Sequence, residues 1–293
     1  MKKIVILGCE NSHANMFLDY IRDNPKYINV KVIGVYSHDI EASKKLQETY
    51  GVPVMENFDS AVNEADGVVI TARHGDNHYK YAKLYIEKGV TMFIDKPITI
   101  SEEDAVAFMQ ECKRYGVRVS GGSCCIYQEW VQTLKKECEE NVDGETLGGF
   151  VRCPVTLNNP NGGFFFYSQH LVEIVGHIFG RYPKSVKAYL NGEKLTVVFR
   201  YETFDVMGLF TDNNYSCYYA MRISEHHVNG SEFPINGQSP CFQIEFDEYY
   251  KLLMGEEQKI SYQDFIAPVF VMNAIVRSME SGKEEKICYR EVE

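Results

Sequence analysis

Across residues 3–120 the chain repeats one unit, a short apolar run followed by a stretch with helical spacing. The runs fall at 3–7, 30–36, 67–71, 90–94 and 117–120. The helical stretches fall at 12–23, 40–50, 77–88 and 101–115, the last three closed by Gly51, Gly89 and Gly116. Short strands alternating with helices form βαβ units, whose strands pair in parallel through right-handed crossovers. A sheet built this way binds ligands outside the C-terminal ends of its strands. Here those ends are the loops beginning at Gly8, Tyr36, Thr71 and Ile94.

After about residue 125 the texture changes. A helix is expected at 128–139, then strand-like stretches at 150–157, 185–190, 194–201, 205–210 and 215–223. Asn191-Gly192 reads as a two-residue hairpin turn. Two helices, 168–179 and 266–281, interrupt the strands. The expected fold class is α/β. A doubly wound parallel sheet fills 1–122, and an α+β domain with a large, mostly antiparallel open sheet fills 123–293.

Charge narrows the function classes. Thirty Lys+Arg stand against 41 Asp+Glu, for a net charge of −11. Phosphate backbones and anionic membrane surfaces are held by clustered Lys and Arg, and no such cluster is present. Neither nucleic acid nor a membrane is therefore expected as a partner, and no apolar run approaches the ~20 residues of a span. Lys2-Lys3 before Ile4–Leu7 hints at a signal peptide, but polar Glu10-Asn11-Ser12 follows at once. A cytoplasmic protein is expected. The nine cysteines include no Cys-x-x-Cys pair, which fits reduced thiols rather than a zinc site.

Four motifs carry chemistry. Gly8-Cys9-Glu10-Asn11-Ser12-His13 occupies the strand-to-helix turn where a dinucleotide fold places Gly-x-Gly-x-x-Gly. Only the first glycine is present. Asn11, Ser12 and His13 offer hydrogen bonds to a phosphate, and a plain ligand-free turn is the alternative. At the end of the second run, where a ribose-binding acid belongs, the chain has Ser37-His38. That pair leans toward the 2′-phosphate of NADP, or is an ordinary polar loop. Asp95-Lys96-Pro97 puts a lysine at the mouth of the sheet, able to hydrogen-bond a substrate hydroxyl or relay its proton; an exposed loop lysine is the alternative. Finally, His170, Glu173 and His177 share one helix face. They suit an acid–base site, a metal site or simply hydrogen-bonded histidines.

Taken together these residues resemble the Gfo/Idh/MocA family of NAD(P)-dependent oxidoreductases. The resemblance spans the chain: Lys-Ile-Val-Ile-Leu-Gly at the start, Val-Ile-Gly-Val-Tyr-Ser at the second strand, Ile-Thr-Ala through His78, Asp95-Lys96-Pro97, and His170 in a helix that ends at Gly180. It implies an N-terminal Rossmann domain and hydride transfer between NAD or NADP and a hydroxyl or carbonyl carbon of a sugar, cyclitol or related polyol. Lys96 would contact the reacting oxygen and His170 would accept the proton. Gly8, Asn11, Ser12, His13, Ser37, His38, Thr71, His74, His78 and Asp95 would line the cofactor, with a lean to NADP. Glu173 and Tyr167 would meet the substrate, and no metal is implied.

Three positions depart from the family pattern. Glu10 replaces the second glycine, Phe166 the aspartate before the histidine, and Cys124-Cys125-Ile126 the Asn-x-Arg after the fifth strand. They keep open a non-catalytic ligand-binding or regulatory protein of the same fold. A sheet with one open face needs cover, so the aromatic strand with Tyr215, Tyr218 and Tyr219 suggests a homodimer or tetramer.

Overall fold

The computed structural model describes residues 1–211 and 217–293. They form two compact units, one of Met1–Gly122, Phe242–Phe265 and Glu291–Glu293, the other of Ser123–Cys241 and Ile266–Arg290.

In the first unit five strands pair in parallel: β1 (Lys2–Leu7), β2 (Val30–Tyr36), β3 (Gly67–Ile70), β4 (Thr91–Asp95) and β5 (Val119–Gly122). Their order is β2-β1-β3-β4-β5, so the chain reverses direction across the sheet between β1 and β3. That reversal opens the crevice in which such sheets hold ligands. β3 and β4 are buried at every residue, as expected of parallel strands covered on both faces. The crossovers are α1 (Ser12–Asp23), α2 (Ile40–Tyr50), α3 (Asp76–Ile86) and α4 (Glu102–Arg114). Asn11, Asp39 and Ser101 cap α1, α2 and α4 through side-chain oxygens that accept the first free N–H groups.

The second unit holds α5 (Glu129–Glu139), β6 (Thr146–Pro154), α6 (Phe165–Phe179), β7 (Ser185–Asn191), β8 (Lys194–Arg200), β9 (Asp205–Thr211), β10 (Cys217–Ser224) and β11 (Val228–Pro234). After α7 (Cys241–Leu253), α8 (Tyr262–Ser281) and the short β12 (Glu285–Lys286) complete the chain's elements. The sheet runs β11-β10-β6-β9-β8-β7-β12. Every pair is antiparallel except β6 with β9. Asn191-Gly192 closes the β7–β8 hairpin, with Asn191 opposite Lys194. The expected 215–223 strand begins at Cys217 among the described residues; Tyr215 lies outside them.

Alternation sorts this sheet into two faces. Ala188, Val197, Gly208, Val151 and Ala220 form a row across it on the side covered by α6. On the other side Val198, Met207, Phe150 and Met221 line up in register. Tyr218 was expected with Tyr219 on the open face. The period of two instead buries Tyr218, stacked on Phe233, and leaves Tyr219 half-exposed on the open side.

The units differ from a division at residue 122, because α7 packs into the first. Phe246, Tyr249 and Leu253 join Ile4, Phe17, Tyr27 and Phe93 in one buried cluster. Phe17 stacks on Phe246 at 4.8 Å, and Tyr27 donates to Asp247. Gly67 makes room for the helix, since a Cβ there would lie 2.3 Å from the Tyr249 hydroxyl. The strand β11 was likewise absent from the sequence reading. Its Val-Asn-Gly-Ser-Glu-Phe-Pro carries little apolar signal and is organised by pairing with β10.

Candidate active site

In the first unit the turn after β1 is fixed by its neighbours. Gly8 has φ +75°, and a Cβ on it would lie 2.3 Å from the Ala72 backbone, so only glycine fits. Its N–H donates to Tyr36 O at 2.8 Å, and its carbonyl accepts from Thr71 Oγ1 at 3.1 Å. The turn is thereby pinned to the ends of β2 and β3.

From there the bonds run to β4. Asn11 caps α1 by accepting from His13 N at 3.2 Å, and its Nδ2 donates to Asp95 Oδ2 at 3.1 Å. The Nδ1 of His13 lies 2.8 Å from the same oxygen, while Lys96 N donates to Asp95 Oδ1 at 2.7 Å. Asp95 is fully buried. Burial alone would push its carboxyl up. The His13 imidazole and the Lys96 charge outweigh that and hold it below the usual carboxylate range. The N-terminus of α1 and the strand end that carries Lys96 are therefore one bonded assembly. Lys96 itself is buried, at 5% exposure, rather than an exposed loop lysine.

The other expected cofactor residues scatter in role. Thr71 is buried on Gly8. His78 is also fully buried; its Nε2 lies 2.7 Å from Ala72 O, and desolvation lowers its pKa, which keeps the ring neutral. It clasps the loop after β3. His74, half-buried, accepts from Asp76 N at 3.4 Å. Ser12 and His38 are exposed. Ser37 is buried and donates to Glu10 Oε2 at 2.7 Å. Glu10 also accepts from Arg73 N at 3.1 Å. The side chain that displaces the second glycine is thus bound to the ends of β2 and β3, a use of Glu10 that the motif alone does not show.

The turn fits a dinucleotide on three observations. Gly8 admits no side chain, α1 opens there with an extended cap residue, and the Glu10 carboxylate is held by partners to one side. A nicotinamide dinucleotide would be held by Gly8, Asn11 and the first turn of α1.

In the second unit His170 sits mid-helix on α6 with 5% exposure. Its Nδ1 lies 2.7 Å from Ser123 Oγ and 3.4 Å from Cys125 Sγ. Ser123 caps the short helical turn Cys124–Tyr127 by accepting from Cys125 N at 3.3 Å. Burial pushes the Cys125 thiol up, but Cys124, His170 and Ser123 together hold it well below the usual thiol range. Tyr167 stands edge-on to His170 at 5.2 Å, and Phe166 packs on Tyr167. Ser123 and Cys125 are thus the side chains that meet His170 Nδ1, while Phe166 offers it no polar group. Nothing in local spacing points to them, because they lie 47 and 45 positions away.

Glu173, expected at the substrate, is 6% exposed and accepts from Gln169 Nε2. Burial raises its pKa to about 7. Folding therefore favours its protonated form, so its contribution to stability is full below about pH 4.3 and falls as pH rises to about 7. The loss at the plateau is roughly 3 kcal/mol. Glu173→Gln is expected to remove this slope, its Tm advantage over the parent growing from pH 5 to pH 8. Parallel pH–Tm curves would refute the buried neutral acid. His177 turns away, its Nε2 2.9 Å from Gln132 Nε2. Among the described residues no three His, Cys, Asp or Glu side chains converge as metal ligands. No described helix is long and apolar enough to cross a membrane.

A five-stranded parallel sheet with a dinucleotide-type turn, followed by a mixed seven-stranded open sheet, defines a two-domain α/β protein of the Rossmann class. Residues 2–123 match the family model described as oxidoreductase family, NAD-binding Rossmann fold. Through this N-terminal stretch, under half of its length, the chain is similar to the Gfo/Idh/MocA oxidoreductases. It is similar to the glucose-6-phosphate 3-dehydrogenase of Bacillus subtilis, 28% identical over 65% of this chain and 58% of that one. A 2,7-anhydro-N-acetylneuraminate hydratase of Mediterraneibacter gnavus is 24% identical over 50% of this chain and 43% of its own. The chain thus spans no more than 58% of these curated relatives. Among solved structures, apo scyllo-inositol dehydrogenase from Lactobacillus casei aligns with TM-score 0.84 and 15% identity, covering 98% of each chain. GenD2 from gentamicin A biosynthesis, in complex with NAD, aligns with TM-score 0.83 and 14% identity over 98% of this chain and 96% of its own. At such identities these two establish the shared fold.

Proposed function

We propose that the protein is an NAD(P)-dependent dehydrogenase acting on a hydroxyl or carbonyl carbon of a sugar, cyclitol or related polyol. The observation that carries the reading is the buried bond set joining Asn11 and His13 to Asp95 and so to Lys96. It makes the dinucleotide-binding turn and the lysine one rigid element. When bound, the nicotinamide supplies or accepts the hydride. Lys96 hydrogen-bonds the reacting oxygen and stabilises charge as it develops. His170 is the proton acceptor. In the tautomer whose Nδ1–H donates to Ser123, Nε2 carries the lone pair that takes the proton. Tyr167 and the neighbouring phenylalanines present ring faces of the kind that sugar C–H surfaces stack on.

Ser123 is a positioning residue in this scheme. Ser123→Ala is expected to lower kcat about 10–100-fold with KM changed little, and to shift the base limb of the pH–rate profile. Ser123→Thr should recover most of the loss. An unchanged pH profile in the alanine variant would remove Ser123 from the mechanism. The reading as a whole is tested by titrating the protein with NADH and NADPH, followed by a polyol and sugar screen. Absence of binding to either dinucleotide would instead favour the non-catalytic ligand-binding protein.

A homodimer or tetramer is proposed on the open sheet face. There Tyr189 is 56% and Met207 47% exposed beside half-buried Phe150 and Tyr219. Apolar area of this kind is normally covered.

A further inference from the structure

We propose that Glu10 selects the dinucleotide: its carboxylate receives the 2′-hydroxyl of the adenosine ribose and repels a 2′-phosphate, so that the protein uses NAD(H) rather than NADP(H). The inference rests on the dehydrogenase reading and deepens it.

In dinucleotide-binding sheets the ribose lies against the end of β2, where an acidic side chain takes the 2′-hydroxyl. Here the residue after β2 is Ser37, which has no charge. Its buried hydroxyl donates to Glu10 Oε2 at 2.7 Å and accepts from Asp39 N at 3.0 Å. The carboxylate missing from the strand end is therefore present in space, delivered from the turn after β1. Its position is set twice, since Oε1 takes Arg73 N at 3.1 Å beyond the end of β3. The turn that carries it is itself bonded to β2, with Gly8 N and Cys9 N both donating to Tyr36 O.

A carboxylate has about four acceptor sites, and these bonds use two. The remaining lone pairs suit a hydroxyl donor. A phosphate monoester brings only negative charge to the same place, with the carboxylate already fixed there and unable to swing away without losing both bonds. The two substitutions, glycine to Glu10 in the turn and acid to Ser37 at the strand end, thus compensate each other. The bias of Ser37 and His38 toward a 2′-phosphate is cancelled, because Ser37 is engaged by an anion and His38 is exposed.

The test is a fluorescence titration with NADH and NADPH, read as dissociation constants independently of turnover. The parent protein is expected to bind NADH at least about ten-fold more tightly than NADPH. Glu10→Gln, which keeps the shape of the turn, should narrow that ratio at least about ten-fold by strengthening NADPH. The double variant Glu10→Gly with Ser37→Asp returns the carboxylate to the strand end and should restore the preference for NADH. Equal affinities in the parent, or an unchanged ratio in Glu10→Gln, would overturn the assignment while leaving a dehydrogenase. Failure of the parent to bind either dinucleotide at millimolar concentration would remove the dehydrogenase reading and this inference with it.

Discussion

Lys96→Met is expected to leave the dissociation constant for the reduced dinucleotide within about two-fold and to lower turnover by about 10²–10⁴-fold. Methionine keeps an unbranched stem of similar length and removes only the ammonium group. The cofactor turn is held through Lys96 N and the Asp95 carboxylate, and the substitution leaves that backbone bond in place. His170→Ala should cost a similar factor, with Ser123 and Cys125 left facing a gap. Steady-state rates on the substrate found by screening, beside NADH titrations of each variant, give both readouts. Full rate in both variants would mean that neither group takes part.

The largest stability effect is expected at Asp95. Asp95→Ala strands the side chains of Asn11 and His13 and the N–H of Lys96 in a fully buried place. Removing one partner of a buried ion pair costs about 3–5 kcal/mol, or roughly 10 °C in Tm for a unit of this size. Dinucleotide affinity should fall with it, because Asn11 and His13 begin α1. The pH dependence has a definite sign. A carboxyl held below its usual range contributes stability above the ordinary value near about pH 4, and the contribution is lost as pH falls through the lowered value. Asp95→Asn should show a shallower acid loss than the parent in urea titrations between neutral pH and pH 3. If parent and variant lost stability in parallel, Asp95 would not be the charged centre of this assembly.

The first unit was legible wherever strand and helix carry their own signals. Central strands such as β3 and β4 carry the apolar stretches Val68-Val69-Ile70 and Met92-Phe93-Ile94 because both faces are buried, and glycines such as Gly51 end their helices. The helix α7 had a signal too, since Phe242, Phe246, Tyr249 and Leu253 fall at helical spacing. Its membership of the first unit, however, depends on packing against Phe17 and Tyr27, more than two hundred positions earlier. The site shows the same divide. Gly8, Asp95, Lys96 and His170 stand in recognisable local contexts. Glu10 reads locally only as the replacement of the second glycine, and the Ser37 and Arg73 bonds reveal where its carboxylate goes. The partner of His170 is set by tertiary structure, which brings the Ser123 turn onto α6.

The return of Phe242–Phe265 and Glu291–Glu293 to the first unit also bears on how such a chain can change over time. The polypeptide passes between the units four times, so no single break in the sequence separates them. A break after Gly122 would leave the sheet without α7 and would expose Phe17, Tyr27 and Phe93. The Rossmann half is therefore no detachable cassette: it can be exchanged only together with a stretch of chain encoded far downstream, which ties the two halves to a common history.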